Sequence, residues 1–242
     1  MKNPLVSVVI PSYNRLEYLL KAIQSVLDQE YENIEIIVVN DGSTQEGYLE
    51  HKFIKHITQI NLKENQKQIY GFGPGSIRNF GIEKAKGSWV AFLDDDDIWF
   101  KEKLKEQIEI LSKCDSLICS TDALIGEGFY KEDVKYLTFL NDHYYKDIKK
   151  YLYRNYFLSR FKKLQFPKSF NKEYITTFNP IITSSVIVKK DILDKLGGFR
   201  NLPYSADYDL WKAVLQFSDC EFINKPLIYY DNSHGYGREY EK

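Results

Sequence analysis

The stretch LVSVVIPSYN, residues 5–14, carries the strongest signal for the fold. Its apolar run is short, rich in β-branched residues and stopped by Pro11, which is typical of a strand buried within a sheet. Apolar residues then recur at helical spacing from Leu16 to about Gln29, and Asn14 stands where it could cap that helix. The opening of the chain therefore predicts a strand that leads directly into a helix.

The alternation of strands and helices continues over the first half of the chain. Four later apolar runs predict strands, at residues 34–40, 57–62, 88–93 and 115–121. A glycine-rich loop at 71–75 opens one helix, and the amphipathic segment 101–113 forms another. This order predicts an α/β fold with a Rossmann-like, mostly parallel central sheet and helices on both faces. The alternation fades after about Leu124, and we expect the less regular remainder to belong to the same single domain, residues 1–242.

Composition is that of an ordinary globular protein and excludes several classes. Hydrophobic residues are 43% and charged residues 28%, and the net charge of -1 provides no basic field for nucleic acid. Three cysteines without a CxxC pair indicate reduced thiols rather than a disulfide framework or a thiolate zinc site. The first apolar run is too short for a signal peptide, and no apolar stretch approaches the ~18 residues of a membrane span. We therefore expect a cytoplasmic protein.

Polar residues directly follow three of the predicted strands. Pro11 and Ser12 end the first strand, Asp41 begins the turn after the second, and four consecutive aspartates, the acidic run 94–97, follow the fourth. In open α/β sheets, ligands bind beyond the carboxyl ends of the strands. These residues are therefore expected to line one ligand site at a single edge of the sheet.

The acidic run needs a physical reason, because adjacent carboxylates repel and raise one another's pKa unless a cation neutralises them. A divalent ion does this well, and Mg²⁺ or Mn²⁺ often takes one or two carboxylates while phosphate oxygens fill other positions. The alternative is a solvated turn in which Asp97 caps the next helix. The apolar residues on both sides, from Phe92 to Trp99, favour the metal site.

Four blocks of sequence resemble the inverting nucleotide-sugar glycosyltransferases of family 2, which have the GT-A fold. The blocks are VSVVIPSYNR, IEIIVVNDGST, GPGSIRNFGIEKAKGSWVAFLDDDDIW and LGGFRNLPYSADYDLW. A lone D-x-D motif would be weak evidence, whereas four blocks in matching order and spacing over residues 6–230 are strong evidence. The resemblance implies a nucleotide-sugar-binding half, residues 1–124, and an acceptor-binding half, residues 125–242.

In this family the first two blocks contact the nucleotide base. The resemblance transfers that contact to Pro11, Ser12 and Tyr13, largely through backbone groups, and to the side chain of Asp41. The family often has a second acid before this aspartate, where the chain has Asn40, so the contact should depend on Asp41. A plain tight turn is the alternative for this segment.

The resemblance also divides the acidic run by position. Asp96 would bind the divalent ion, Mn²⁺ or Mg²⁺, while Asp94 and Asp95 would contact the ribose or a metal-bound water. Asp97 is expected to begin the next helix. Arg78 lies one turn into the helix after the glycine-rich loop, and it would orient Asp94 or the phosphates. A surface salt bridge is the alternative for Arg78.

The last block contains the expected catalytic base. Inverting transfer removes a proton from the acceptor hydroxyl as it attacks, and the Asp that the family uses for this corresponds to Asp207. The Glu that usually precedes it is Ala206 here, which puts the acceptor site in doubt rather than the chemistry. The alternative is that Asp207 only begins the helix 208–217, and Asp209 is interpreted as a helix-turn acid. His234 either reaches the metal or pyrophosphate, as in several relatives, or is exposed.

Residues 144–166 have a pattern that no family block covers. Seven Lys or Arg are interleaved with eight aromatic residues and a single Asp, which is typical of a basic amphipathic helix. Such a helix can make peripheral contact with the inner face of the cell membrane, hold an acidic or lipid-diphosphate-linked acceptor, or cover the cleft as a lid. The interleaving also suits single-stranded nucleic acid, but nothing else in the chain supports that partner, so we expect none.

These features predict an enzyme that moves one sugar from a nucleoside diphosphate sugar to a glycan or lipid-linked acceptor, in bacterial surface polysaccharide synthesis. The family implies a UDP-sugar, and dTDP- and GDP-sugars stay open. The Q-x-x-R-W signature of processive synthases is absent. A non-catalytic nucleotide-sugar-binding module is the alternative that Ala206 allows. A nucleotidyltransferase would show glycine-rich and basic residues directly after the first strand, and PSYNR does not match that pattern.

Overall fold

The computed structural model describes residues 3–48, 57–71, 75–144 and 167–234. Ten strands within these residues form one sheet. The strands are β1 Val6–Ser12, β2 Ile34–Asn40, β3 Ile57–Asn61, β4 Trp89–Phe92, β5 Ile98–Trp99, β6 Ile118–Gly126, β7 Leu137–Thr138, β8 Ser169–Phe170, β9 Ile187–Lys189 and β10 Cys220–Asp231.

Helices connect the strands. The α-helices of the described residues are α1 Leu16–Leu27, α2 Gln66–Tyr70, α3 Gly75–Lys84, α4 Lys103–Leu111, α5 Lys172–Thr177, α6 Lys190–Leu196 and α7 Ala206–Val214. A π-helical turn covers Phe139–Tyr144, and a 3₁₀ turn covers Thr183–Ser185. None of the helices that the structure describes has both the length and the apolar character that crossing a membrane requires.

The sheet is mixed, with the order β3-β2-β1-β4-β9-β6-β10-β5, and β7 and β8 pair with β6 and β10. Parallel ladders of four or more residue pairs join β3, β2, β1 and β4, and also β6 and β10. The antiparallel ladders contain two or three residue pairs each and all involve the short strands β5, β7, β8 and β9. The predicted α/β fold with a mostly parallel sheet is therefore confirmed.

Side chains of the central strands enter two separate cores, one on each face of the sheet. Val8 and Ile10 of β1 pack with α1 and α4 on one face, whereas Val9 packs with α3, α6 and α7 on the other. Successive side chains of a strand point to opposite faces. Because both faces are covered by helices, the strand reads as a continuous apolar run rather than an alternating one.

Pro11 does not stop β1, which continues to Ser12. The pairing of β1 with β4 ends at Val9, whereas its pairing with β2 extends to Ser12. Proline has no N–H to donate, and it is tolerated where one side of the strand lacks a partner. The strand therefore delivers Ser12, and not only Pro11, to the edge of the sheet.

The first helix starts differently from the prediction. Asn14 was expected to cap α1, but Arg15 occupies the N-cap position and its own side chain makes no capping hydrogen bond, so the prediction is wrong. The reason is that Asn14 has a left-handed backbone, with φ of 51°, and its side chain bonds elsewhere. The backbone nitrogen of Leu16 donates a 3.0 Å bond to Oε1 of Gln45 instead. The cap position thus carries a guanidinium group at the carboxyl end of β1.

Helix α3 lies close against β1 because of Gly81. A Cβ atom on Gly81 would lie only 2.4 Å from Cγ1 of Val9, which is too short a distance for two non-bonded carbon atoms. This close contact fixes the height of α3 above the sheet and, with it, the position of Arg78 on the same helix. Residues 72–74 of the preceding loop lie outside the described part of the chain.

Two other predictions concern residues away from the sheet edge. Cys119 and Cys220 are buried free thiols and Cys114 is an exposed one, in agreement with the expected absence of a disulfide among these three residues. The basic aromatic segment 144–166 lies, after Tyr144, outside the described residues.

Candidate active site

The carboxyl ends of β2, β1 and β4 lie side by side, because these strands are parallel neighbours in the sheet. Ser12 ends β1, Asn40 ends β2, and the acidic run begins just after Phe92 ends β4. The Oγ atom of Ser12 donates a 2.6 Å hydrogen bond to Oδ2 of Asp95 and so connects β1 to the acidic run. The polar residues that follow these strands therefore form one site.

Two arginines pair with the first three carboxylates of the acidic run. Nη2 of Arg78 forms an ion pair with Oδ1 of Asp94. Nη1 of Arg15 lies 3.3 Å from Oδ1 of Asp95 and 2.8 Å from Oδ2 of Asp96. The guanidinium groups offset the repulsion between neighbouring carboxylates. The contact of Arg78 with Asp94 was anticipated from the resemblance, whereas Arg15 was missed.

Burial is the largest cause of the raised pKa values of Asp95 and Asp96. It raises the pKa of Asp95, while Arg15 and the hydrogen bond from Ser12 lower it. The pKa of Asp96 is raised well above its usual value by burial and then by Asp95 and Asp94, and Arg15 opposes the rise. A further cation at this site would hold Asp96 in its ionised form.

Asp97 does not begin the next helix, so that prediction is wrong. Its side chain is buried, and Oδ1 accepts a 2.9 Å hydrogen bond from the backbone nitrogen of Asp231. The chain then forms β5, which pairs with β10, and α4 begins only at Lys103. Burial, followed by Asp96 and Asp94, raises the pKa of Asp97. Asp97 thus connects the acidic run to the end of β10.

The turn after β1 is attached to the turn after β2. Oδ1 of Asn14 accepts hydrogen bonds of 2.7 Å and 2.9 Å from the backbone nitrogens of Thr44 and Gln45. The backbone nitrogen of Asn14 donates a 2.9 Å bond to Oγ of Ser43. Asn tolerates the left-handed conformation better than most residues. This attachment positions Arg15, which stands three residues after the end of β1. A cation so near the end of a strand, at the same edge as four carboxylates, is the sequence signal that could have identified it.

Asp41 is 1% exposed, and both its carboxylate oxygens have donors. Oδ1 accepts a 2.9 Å bond from the backbone nitrogen of Gln66, and Oδ2 accepts a 2.9 Å bond from Nδ2 of Asn65. Burial raises the pKa of Asp41 to about 6, although the bond from Gln66 lowers it. The neighbouring Asn40 stabilises the turn after β2, because its Oδ1 accepts a 2.9 Å bond from the backbone nitrogen of Ser43. Asp41 is therefore oriented by the start of α2.

The three other residues expected at the nucleotide base differ in exposure. Pro11 and Ser12 are buried at the end of β1, and the hydroxyl of Ser12 is committed to Asp95. Tyr13 is partly exposed, and its hydroxyl lies 3.5 Å from Nε2 of Gln68 in α2. The ring of Tyr13 therefore lies nearer to solvent than the two residues before it.

Asp207 lies in the first turn of α7 and makes no direct hydrogen bond to the acidic run. Oγ1 of Thr183 donates a 3.0 Å bond to Oδ2 of Asp207. Oγ of Ser184 accepts a 3.0 Å bond from the backbone nitrogen of Asp94. The 3₁₀ turn therefore connects the expected base to the acidic run. Nothing in the sequence marks this turn, and its residues were missed.

Ala206 occupies the position where the resemblance led us to expect Glu. It is buried, and a Cβ atom on Gly75 of α3 would meet its Cβ at 2.6 Å. The Cβ atom of Ala206 therefore packs closely against the backbone of α3 at Gly75. Asp209, in the same helix, forms a bidentate ion pair with Arg200, in which Nε lies 2.6 Å from Oδ2.

His234 lies beside the acidic run rather than in solvent. Its Nδ1 is 3.0 Å from Oδ2 of Asp231 and 3.5 Å from Oδ2 of Asp96. The ring packs edge-on against Tyr18 of α1, with 4.9 Å between the ring centroids. The histidine therefore joins the end of β10 to the candidate metal ligand.

The family described as "Glycosyl transferase family 2" matches residues 7–173, which is more than half of the chain. The chain belongs to glycosyl transferase family 2.

Curated members of the family are longer than this chain. An uncharacterized glycosyltransferase of Rickettsia felis is 32% identical over 233 residues, which are 93% of this chain and 34% of the relative. TuaG of Bacillus subtilis is provisionally named a glycosyltransferase of teichuronic acid biosynthesis. It is 41% identical over 112 residues, which are 45% of this chain and 42% of TuaG. The matches thus span about a third to two fifths of these relatives.

Solved structures of glycosyltransferases share the fold. S. aureus TarS 1-349 in complex with UDP-GlcNAc matches with a TM-score of 0.65 at 20% identity, over 94% of this chain and 58% of TarS. The mannosyltransferase PcManGT of Pyrobaculum calidifontis, in complex with GDP-Man and Mn²⁺, matches with a TM-score of 0.63 at 15% identity, over 99% of this chain and 60% of PcManGT. The GT-A fold expected from the sequence is confirmed.

The family resemblance implies a divalent metal, and the donor set can be tested against it. Among the described residues, no group of three or more His, Cys, Asp or Glu side chains forms a metal site. Mg²⁺ and Mn²⁺ commonly take only one or two carboxylates and complete their shell with phosphate and water oxygens. Asp96 offers one such carboxylate, and a metal at its Oδ2 would share that oxygen with Nη1 of Arg15. The residues therefore fit a metal that arrives with the diphosphate, and they do not form a complete protein cage.

Proposed function

We propose that this chain transfers one sugar from a nucleoside diphosphate sugar to a glycan or lipid-linked acceptor, with inversion at the anomeric carbon. The observation that carries the proposal is the convergence of Ser12, Arg15 and Arg78 on the acidic run at the carboxyl edge of the sheet. Carboxylates with paired cations at this edge suit a phosphate-bearing ligand and its metal.

The nucleotide would lie over the ends of β1 and β2. Tyr13 would contact the base, Pro11 and Ser12 would do so through their backbone, and Asp41 would accept a hydrogen bond from it. The carboxylate of Asp41 is already oriented by Asn65 and Gln66, so little order would have to be created on binding. UDP-sugar is the favoured donor class, since TarS is described in complex with UDP-GlcNAc. PcManGT, described with GDP-Man, keeps the GDP-sugars as the second class.

The diphosphate would lie against the acidic run. Asp94 and Asp95 would contact the ribose or a metal-bound water, Arg78 would orient Asp94, and Asp96 would hold Mn²⁺ or Mg²⁺. A divalent ion at Asp96 would act as a Lewis acid for the charge that develops on the departing diphosphate. The protein's own part is to hold this carboxylate in place, and the bound cation would keep it ionised.

Asp207 would be the base. The acceptor oxygen forms a bond to the anomeric carbon while the bond from that carbon to the phosphate oxygen breaks, and the hydroxyl proton passes to the carboxylate of Asp207. The electron pair of the broken bond leaves with the nucleoside diphosphate. The hydrogen bond from Thr183 supports this role, because it orients a carboxylate that is only partly buried.

The acceptor and the cellular place belong to the proposal as well. The name of TuaG supports a polysaccharide acceptor, in surface polysaccharide synthesis. We propose that the enzyme acts in the cytoplasm or at the inner face of the membrane, where a lipid-linked acceptor is available. The non-catalytic alternative depends on the missing Glu at position 206, and Asp207, the residue proposed as the base, is present beside it.

A panel of nucleotide sugars tests the proposal. We expect Mn²⁺-dependent hydrolysis or transfer with one UDP-sugar, and loss of about 100-fold or more in the Asp207→Asn variant with unchanged UDP affinity by calorimetry. The matched control is Asp209→Asn, two residues away on α7, which should retain transfer. A wild-type chain that binds UDP but neither hydrolyses nor transfers from any donor would rule out catalysis, and full activity of Asp207→Asn would rule out this base.

A further inference from the structure

The 3₁₀ turn Thr183–Ser185 contacts both halves of the proposed reaction centre. Oγ of Ser184 accepts a 3.0 Å bond from the backbone nitrogen of Asp94, and Oγ1 of Thr183 donates a 3.0 Å bond to Oδ2 of Asp207. These two bonds come from adjacent residues. The distance between the start of the acidic run and the proposed base therefore depends on this turn.

The turn is itself held by buried donors from the segment after the acidic run. Nε1 of Trp99 donates a 2.8 Å bond to the carbonyl oxygen of Ser184, and Nε2 of Gln107 donates a 2.9 Å bond to that of Ser185. Thr183, Ser184 and Ser185 are all buried. A buried turn with its carbonyls paired has little freedom, so the Thr183 hydroxyl is presented at a fixed place.

Lys103 contacts the side chains of both donors, Trp99 and Gln107. The lysine is fully buried, its Nζ donates a 2.7 Å bond to Oε1 of Gln107, and it lies 3.9 Å from the centroid of the Trp99 ring. Both Oε1 and Nε2 of the Gln107 amide therefore make hydrogen bonds, which fixes the orientation of the amide. The support of the turn therefore extends into α4.

A carboxylate on a helix needs such a donor if one of its oxygens is to face a substrate. The terminal torsion of an Asp side chain is broad, so the carboxylate rotates unless a hydrogen bond stops it. Within the described residues, Thr183 is the donor to the Asp207 side chain, and it bonds Oδ2. Oδ1 is then the oxygen that stays available for a proton.

We propose that Thr183 is the positioning residue of the transfer reaction. It holds Oδ2 of Asp207, so that Oδ1 takes the proton of the acceptor hydroxyl. The inference rests on the proposed function, because it needs Asp207 to be the base. Orientation of a reacting group within about 1 Å has a large effect on rate, so the effect of Thr183 should appear in kcat and not in donor binding.

Three substitutions at position 183 isolate the hydroxyl. Thr183→Val keeps the shape and removes the donor, Thr183→Ser keeps the donor, and Thr183→Ala has lost both the donor and the methyl group. The control is Thr176→Val in α5, because Thr176 is exposed and, within the described part of the chain, its hydroxyl donates to the carbonyl oxygen of Lys172 in its own helix.

We expect Thr183→Val to lower kcat for transfer by about 10- to 100-fold, the range set by a hydrogen bond to a charged group. The donor KM and the Kd for UDP should change by less than about two-fold, and Thr183→Ser should restore most of the rate. Thr176→Val should behave as wild type. If Thr183→Val does not fold, the comparison of Thr183→Ala with Thr183→Ser still isolates the hydroxyl, because both lack the γ-methyl group.

The Asp207→Asn background separates this inference from the proposed function. There, Thr183→Val should cause no further loss, because residues that act as a unit are non-additive. Wild-type kcat in folded Thr183→Val, with Asp207→Asn inactive, would overturn the role of Thr183 and leave the proposed function intact. A Thr183→Val variant with a higher KM and a lower thermal stability but an unchanged kcat would also overturn it. So would an equal loss of kcat in Thr183→Ser and Thr183→Val. Normal transfer by Asp207→Asn would instead overturn the proposed base itself.

Discussion

Nη1 of Arg15 lies 2.8 Å from Oδ2 of Asp96, so the carboxylate proposed to bind metal is already paired with a cation of the protein. The side chains are only 16% and 13% exposed, and screening by solvent is therefore weak. A divalent ion that binds Asp96 has to share the carboxylate with this guanidinium or displace the guanidinium from it.

We predict that Arg15→Gln binds Mn²⁺ more tightly than the wild type in the absence of nucleotide. The expected gain is about ten-fold, which corresponds to about 1.4 kcal/mol of removed repulsion. Calorimetric titration of Mn²⁺ into the nucleotide-free protein measures it. Lys21→Gln is the control, since Lys21 of α1 has the same charge, is exposed and packs over Phe129 instead. Unchanged or weaker Mn²⁺ binding in Arg15→Gln would contradict the competition.

Asp41 should make stability depend on pH. Its pKa in the folded chain is about 6 against a usual value of 3.8, so the folded state favours the protonated form. The stability this provides is complete below about pH 4 and is lost as the pH rises through about 6, a decrease of about 3 kcal/mol in the free energy of unfolding.

Urea unfolding between pH 4 and pH 8 measures this contribution. In Asp41→Asn the decrease between about pH 4 and 6 should shrink relative to wild type, because the residue no longer ionises. Asp115→Asn, at an exposed carboxylate, should leave the pH profile of the wild type in place. Parallel profiles for wild type and Asp41→Asn would exclude Asp41 as the source.

Ala206→Glu restores the residue that the resemblance implies, and we predict that it destabilises this chain. The new carboxylate would be buried against Gly75, where the helices α3 and α7 meet. Overpacking and an unpaired buried charge together should lower the free energy of unfolding by about 2 to 4 kcal/mol. Denaturant unfolding measures this, with Gln216→Glu at an exposed site as the control for added charge. If Ala206→Glu were as stable as the wild type, the contact between α3 and α7 would have rearranged to accept the longer side chain at little cost in free energy.

Asn14 combines a left-handed backbone with two hydrogen bonds to the turn after β2. We predict that Asn14→Gly, which keeps the backbone conformation, is more stable than Asn14→Ala by about 1 kcal/mol. Both variants should bind UDP more weakly, because both release the turn that carries Thr44 and Gln45. Urea unfolding and UDP calorimetry measure the two effects. Equal stability of the two variants would mean that the backbone conformation relaxes after substitution.

The sheet edge could be predicted from the sequence because its signals are local. The run 34–40 was predicted as a strand and is β2 with the same bounds, and β1 and β4 lie within two residues of their predicted ends. Each strand is a mainly apolar run that is followed by polar residues, which places Ser12 and the acidic run without knowledge of the tertiary structure.

The partners of these residues could not be predicted, because they come from distant parts of the chain. The donor to Asp97 is Asp231, 134 residues away, and the acceptor for the backbone nitrogen of Asp94 is Ser184, 90 residues away. Local pattern therefore assigned Asp97 to a helix start, and tertiary pairing of β5 with β10 overrode that assignment. The sequence therefore predicted that these residues lie at one edge of the sheet, and of their side-chain contacts it anticipated only that of Arg78 with Asp94.

The position of β9 has a consequence for the order in which the protein is assembled. This strand lies between β4 and β6, although it comes much later in the chain than either. A nascent chain that has emerged only as far as β6 contains both neighbours but not the strand that joins them. Long-range pairing of this kind slows folding. We therefore expect β4 and β6 to reach their final arrangement only after β9 has been synthesised.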